Sequence, residues 1–100
     1  MAKIFVTYNE PVNKDGFDTH YFNVHVPLVQ KMPLIKSASV HHVKQAMNTD
    51  EKLYLIAELE FHNFEDLNQA LGSPEGQEVV ADVANLVPFL EKPPLITLVE

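Results

Sequence analysis

One hundred residues, 46% hydrophobic and 21% charged, suit one globular domain with a modest core rather than a disordered chain. A formal charge of −7 argues against nucleic acid and anionic membranes as partners, because both reward clustered cations. Every basic residue is Lys, so no planar side-chain fork is present for a carboxylate or phosphate, and the lack of Cys excludes disulfides, thiolate metal sites and Cys nucleophiles.

Lys3–Tyr8 is β-branched and aromatic and is broken by Asn9-Glu10-Pro11, which predicts strand one. Asn13-Lys14-Asp15-Gly16 is a turn, with Asp15 as the expected N-cap of a helix from about Phe17. Phe17, Tyr21, Val24 and Leu28 fall on one stripe of that helix. His25 lies on its shoulder, and His20 on the opposite shoulder, facing solvent. Pro27 lacks a backbone donor and clashes with the Asn23 carbonyl four residues back, so the helix either stops there or continues, kinked, to about Met32. Pro33 closes it.

Ser37–Met47 reads as strand two, Asn48-Thr49-Asp50-Glu51 as a short polar turn, and Leu53–Phe61 as strand three, giving an antiparallel hairpin. Leu53, Leu55, Ala57, Leu59 and Phe61 share one face of strand three; Tyr54, Ile56, Glu58 and Glu60 share the other. Asn63 caps a helix carrying Phe64, Leu67 and Leu71, with Gly72 at its left-handed end. Ser73-Pro74 starts a second piece with Val79, Val80, Val83, Leu86 and Val87 as its apolar stripe. Pro88 and Pro93-Pro94 end it, and Leu95–Val99 is the last strand. The order β-α-β-β-α-β predicts an α+β, ferredoxin-like single domain over residues 1–100, a four-stranded antiparallel sheet with helices on one face. The other face carries Tyr54 and Ile56, and pairing with a second copy would bury it. No apolar run approaches the ~18 residues of a membrane span, and Met1–Val6 turns polar too soon for a signal peptide; a soluble, cytoplasmic protein is expected.

Three segments together resemble a known family. Phe17, Tyr21 and His25-Val26-Pro27-Leu28 with Lys31-Met32-Pro33, then Glu58-Leu59-Glu60-Phe61 after a hairpin, then Ser73-Pro74-Glu75-Gly76-Gln77 are similar to the EthD family of the dimeric α/β-barrel superfamily, named for ethyl tert-butyl ether degradation. The resemblance spans nearly the whole chain. It implies a homodimer whose sheets pair into a barrel, and an oxidoreductase-like role in small-molecule catabolism. Related members of the superfamily are cofactor-free monooxygenases, lactone isomerases or haem-binding enzymes. In the similar lactone isomerases the histidine aligned with His25 is proposed as the proton-transfer base. The chain departs from the family after Pro33: Leu34 stands where a Gly is usual, and Leu34 is not expected to take a positive φ.

His25 is the candidate acid/base, since imidazole exchanges protons near neutrality; the alternative is a ring that bonds a nearby carbonyl and locks the kink. Tyr21, one turn earlier, either donates to a substrate oxygen or is core. Phe17 and Leu28 are expected to line an apolar pocket, with His42 beside His25. His41 and His42 alternate across a strand and do not share a metal ion. Glu58 and Glu60 pair with Lys44 or face channel water. No Gly-rich phosphate loop is present, so no nucleotide is expected; a His/carboxylate site with His25 has no ligand spacing behind it, so no metal is expected, nor any other cofactor, with haem on His25 as a third reading. The expected activity is that of a cofactor-free enzyme, or a component of a degradation pathway, acting on a small, largely apolar molecule. The alternative is a non-catalytic, small-ligand-binding or accessory dimer for an oxygenase system.

Overall fold

Period-two alternation places Ala2, Ile4 and Tyr8 of β1 (Ala2–Asn9) and Leu55, Ala57, Leu59 and Phe61 of β3 (Leu53–Phe61) on the same buried face. In the computed structural model, which describes all 100 residues, these two strands form the centre of a four-stranded sheet. β2 (Ser37–His42) flanks β3 and β4 (Leu95–Val99) flanks β1, in the order β2-β3-β1-β4 with every neighbouring pair antiparallel. α1 (Lys14–His20), a π-helical turn (Tyr21–His25) and α2 (Val26–Gln30) follow β1; α3 (Phe64–Gly72) and α4 (Pro74–Leu86) follow β3, and a 3₁₀ turn (Val87–Phe89) leads to β4. This is the α+β, ferredoxin-like arrangement expected from the order of elements. No helix is long and apolar enough to cross a membrane.

Several local expectations are corrected. Asn13, not Asp15, caps α1: its side-chain oxygen accepts from the Gly16 N–H at 3.0 Å, which makes Asp15 a first-turn residue favoured by the helix dipole. Asn63 and Ser73 cap α3 and α4 as read, accepting from Asp66 and Gly76. Gly72 is not left-handed; no glycine has positive φ, because Ser73 ends α3 in an extended conformation and starts α4 at once. Strand two stops at His42 rather than Met47. Residues 44–52 are all exposed, so that polar stretch has nothing to bury and becomes a long connection instead of a short turn.

Leu34 does take a positive φ, 65°, against expectation. Met32 is held in the core on one side, and on the other the Lys36 N–H donates to the Glu60 carbonyl at 2.7 Å. Turning the chain between these anchors requires the left-handed conformation, which for a non-Gly residue costs about 1–2 kcal/mol.

Tyr54 also departs from strict alternation. The β1–β3 register shifts between Tyr8 and Asn9, so that Tyr8 faces Leu55 and Asn9 faces Leu53. Tyr54 is the extra residue of a bulge, and a bulge re-aims a side chain. Its ring packs edge-on against Phe17 of α1 and its hydroxyl donates to both Asp18 carboxylate oxygens at 2.9 Å. On the outer face, Glu58 and Glu60 pair with Lys3 (2.9 and 3.8 Å), and Glu60 also with Lys36 at 3.7 Å, rather than with Lys44. Phe5 and Ile56 lie half-buried there beside exposed Leu95 and Val99.

Candidate active site

The helix-one stripe is rephased by the π-turn. The Val26 N–H donates to the Tyr21 carbonyl five residues back, which inserts one extra residue into that turn. Core-facing positions then recur every fourth residue: Phe17, Tyr21, His25 and Val29 are all buried, whereas Val24 is exposed and Leu28 only half-buried. His25 therefore moves from the shoulder to the middle of the buried face. Pro27 falls in the first turn of α2, where a missing N–H matters little.

Opposite His25, α4 turns Gly76, Val79, Asp82 and Leu86 inward. Asp82 is buried, and its carboxylate gathers three donors. His25 Nδ1 lies 2.9 Å from Oδ2, His20 Nε2 lies 2.9 Å from Oδ1 and 3.1 Å from Oδ2, and Asn85 Nδ2 donates to Oδ1 at 2.9 Å. An ionised carboxylate only accepts, so the proton of neutral His25 sits on Nδ1. Nε2 is left with its lone pair and no hydrogen-bond partner from the protein. The Tyr21 ring stacks on the imidazole, centroids 5.3 Å apart, and fixes its plane.

Burial pushes the His25 pKa below its usual value; the Asp82 hydrogen bond pulls the other way and does not overcome it. Burial also opposes ionisation of Asp82, yet the hydrogen bonds from Asn85, His20 and His25 outweigh it and hold this carboxyl below its ordinary range. The pair at neutral pH is thus a carboxylate against a neutral imidazole. Burial raises the Tyr21 hydroxyl to about 12 and the Tyr8 hydroxyl further still, so both remain protonated donors.

His25 lines two small cavities between the helices and the sheet. One, of about 120 Å³, opens toward β2 and is walled by Val6, Tyr21, Val29, Val40 and Leu59, with Gln30 and Ser39 as further polar groups. The other, of about 70 Å³, lies toward β4 among Ile4, Met32, Leu71, Val83 and Leu98. Tyr8 lines both. A mostly apolar pocket with a few placed polar groups is the usual make-up of a small-molecule site.

Of the residues expected at the site, the structure brings His25 and Tyr21 together at the cavity wall. Phe17 is wholly buried behind them, its ring stacked on Tyr21 at 5.4 Å, and supports Tyr21 without reaching the cavity. Leu28 packs against the core away from the cavity. His42 lies outside it as well, stacked on Phe22 at 6.0 Å and edge-on to Tyr54 at 5.8 Å. His41 faces the other side of the sheet, 3.4 Å from Glu58. No group of three or more His, Asp or Glu side chains is arranged to hold a metal ion.

Sequence reasoning missed Asp82, and it placed His20 in solvent although His20 bonds that carboxylate. A signal for Asp82 existed: it continues the three-residue spacing of Gly76 and Val79 and precedes Leu86 by four, so it is an acid on the core face of an amphipathic helix.

The model of the EthD domain matches residues 9–89. An 11.0 kDa Rhodococcus erythropolis protein, described as uncharacterized and encoded between thcB and thcC, is 38% identical over 85 residues, covering 85% of this chain and 82% of the relative. The crystal structure of a Bacillus halodurans EthD family protein superposes with a TM-score of 0.87 at 31% identity, covering 100% of this chain and 97% of that one. A dimeric Bacteroides fragilis protein of unknown function and ferredoxin-like fold gives a TM-score of 0.62 at 17% identity, covering 99% and 94%, and shares the fold alone. With the motif segments of helix one, strand three and the start of α4 all inside the matched range, the chain belongs to the EthD family.

Proposed function

We propose that this protein is a cofactor-free enzyme of small-molecule breakdown, in which His25 Nε2 removes and returns a proton on a small, largely apolar substrate. The observation that supports this reading is the locked imidazole. Nδ1 is tied to Asp82 at 2.9 Å, so the free lone pair belongs to a ring that borders two apolar cavities. That is the base–orienter geometry of acid/base catalysis. For a carbonyl compound, Nε2 takes the proton from the carbon next to the carbonyl. The C–H electron pair becomes a C=C bond, and the carbonyl π pair moves to oxygen. Return of the proton to the same carbon, or to another, gives exchange or isomerisation. Proton removal of this kind is also the first step by which an activated carbon reacts with oxygen.

The test is exchange of α-protons into deuterium oxide, followed by NMR for a panel of six-membered cyclic ketones and lactones. Wild-type protein accelerates exchange, and His25→Gln loses roughly 10²–10⁴-fold of it. Because the folded pKa of His25 lies below 6.5, the rate stays level through neutrality and falls only as acid protonates Nε2. Binding without exchange in the wild type would make the protein a ligand holder and sink the base.

We also propose that the working unit is a homodimer joined through the outer sheet face. Exposed Leu95 and Val99 beside half-buried Phe5 and Ile56 favour cover by a second copy. Light scattering at micromolar concentration is expected to give twice the chain mass of 11.3 kDa; a monomer would contradict it.

A further inference from the structure

The Tyr8 hydroxyl is the one buried side-chain polar atom without a hydrogen-bond partner. Tyr8 is 0% exposed, and leaving a hydroxyl unpaired at such depth is unfavourable. Nothing in the packing of Tyr8 compensates: its ring meets Phe17 and Tyr21 edge-on, at 5.1 and 5.6 Å, and neither contact uses the hydroxyl. Tyr8 nevertheless sits where polar groups are scarce and function is concentrated, since it shares the walls of both cavities with His25. Burial and the neighbouring Tyr21 and Asp82 keep its hydroxyl protonated.

We infer that Tyr8 is a ligand-binding residue whose hydroxyl donates to an oxygen of the bound molecule. The site therefore selects small apolar molecules bearing one neutral oxygen acceptor over pure hydrocarbons. Charge supports the neutral class. Asp82 is already ionised beside the site, and the chain has no Arg to offset a second anion. Size supports it too: a dry cavity of ~150 Å³ accommodates benzene, so the larger cavity, about 120 Å³, matches a ring of about six atoms after slight expansion. In an α-proton transfer, the same hydroxyl would face the oxygen on which charge develops, while His25 handles the carbon-bound proton. The inference rests on the cavity being a ligand site, as proposed above, but not on His25 acting as a base.

The experiment compares wild type and Tyr8→Phe in titrations with cyclohexanone and with benzene, which has the same ring size and no oxygen. Tyr8→Phe should weaken cyclohexanone binding about tenfold and leave benzene binding unchanged. Removing the unpaired hydroxyl should at the same time raise Tm by roughly 4–8 °C. Unchanged cyclohexanone affinity in Tyr8→Phe overturns the inference, as does a lowered Tm, which would show that the hydroxyl already has a partner. Failure of the wild type to bind either probe overturns it together with the ligand site. The deuterium-exchange loss in His25→Gln is scored separately, so the base can stand while the Tyr8 contact falls.

Discussion

Asp82→Asn is expected to cut α-proton exchange by about 10²–10⁴-fold while the chain still folds, at a stability cost of roughly 3 kcal/mol. The carboxylate accepts from three donors at once, and two of them are histidine ring nitrogens. An amide of the same size has one acceptor oxygen, and its NH₂ meets N–H groups that also need acceptors. At least one hydrogen bond to a charged group is therefore lost outright, and another is replaced by a donor–donor clash; each such bond contributes about 1.5–3 kcal/mol. The effect on turnover has a separate origin. Once Nδ1–H is no longer demanded by an anion, the imidazole can place its proton on Nε2, the nitrogen that must be free to act as the base. Wrong-tautomer losses of that size are known for analogous His–carboxylate pairs. Urea unfolding measures the first effect, and NMR exchange at saturating ketone measures the second. An exchange rate within twofold of wild type would show that His25 does not depend on Asp82.

Gly76→Ala should produce the largest stability loss of the chain's three Gly→Ala changes, about 3 kcal/mol or more. A Cβ at position 76 would stand 2.0 Å from the Ala70 carbonyl oxygen and 2.9 Å from the Cα and the carbonyl oxygen of Leu71. All three atoms are backbone, so no rotamer change relieves the contact. The junction is tied on both sides. The Ser73 hydroxyl donates to the Ala70 carbonyl at 2.6 Å and accepts from the Gly76 N–H at 3.0 Å. Relief therefore means moving α3, which carries the fully buried Leu67 and Ala70. Overpacking of this kind costs about 1–3 kcal/mol when side chains can adjust and more when they cannot. For a domain of this length the urea midpoint should fall by about 2 M; a fall of less than about 0.5 M would mean that the two helices separate easily.

The architecture was readable from residue patterns because its signals are local. Leu55–Phe61 alternates without interruption, Asn63 and Ser73-Pro74 announce two helix starts, and the order of elements leaves few topologies. The site was half-readable. His25 and Tyr21 stood out because Pro27 marks an irregular helix beside them. Asp82 did not, because a carboxylate on a helix is normally solvated, and its burial depends on α4 lying across helix one, a long-range fact. Tyr8 looked like one more strand aromatic; only the lack of a partner for its hydroxyl distinguishes it, and that is a property of the packed structure. Leu28 depended on 3.6 residues per turn, which the π-turn breaks; Phe17 keeps its buried stripe but is screened from the cavity by Tyr21, and His42 is drawn to Phe22 and to Tyr54, the ring that the bulge re-aims.

The π-turn sets the chemistry of this helix against its regularity. Removing one residue between Tyr21 and His25 would restore an ordinary α-helical ladder, and by itself a more regular helix is the more stable one. The same deletion would rotate the imidazole by about 100° about the helix axis, off Asp82 and out of the cavity. The surplus residue is thus a phase insertion that holds the working side chain in place. Along this segment, gains in thermal robustness and gains in reactivity lie in opposite directions.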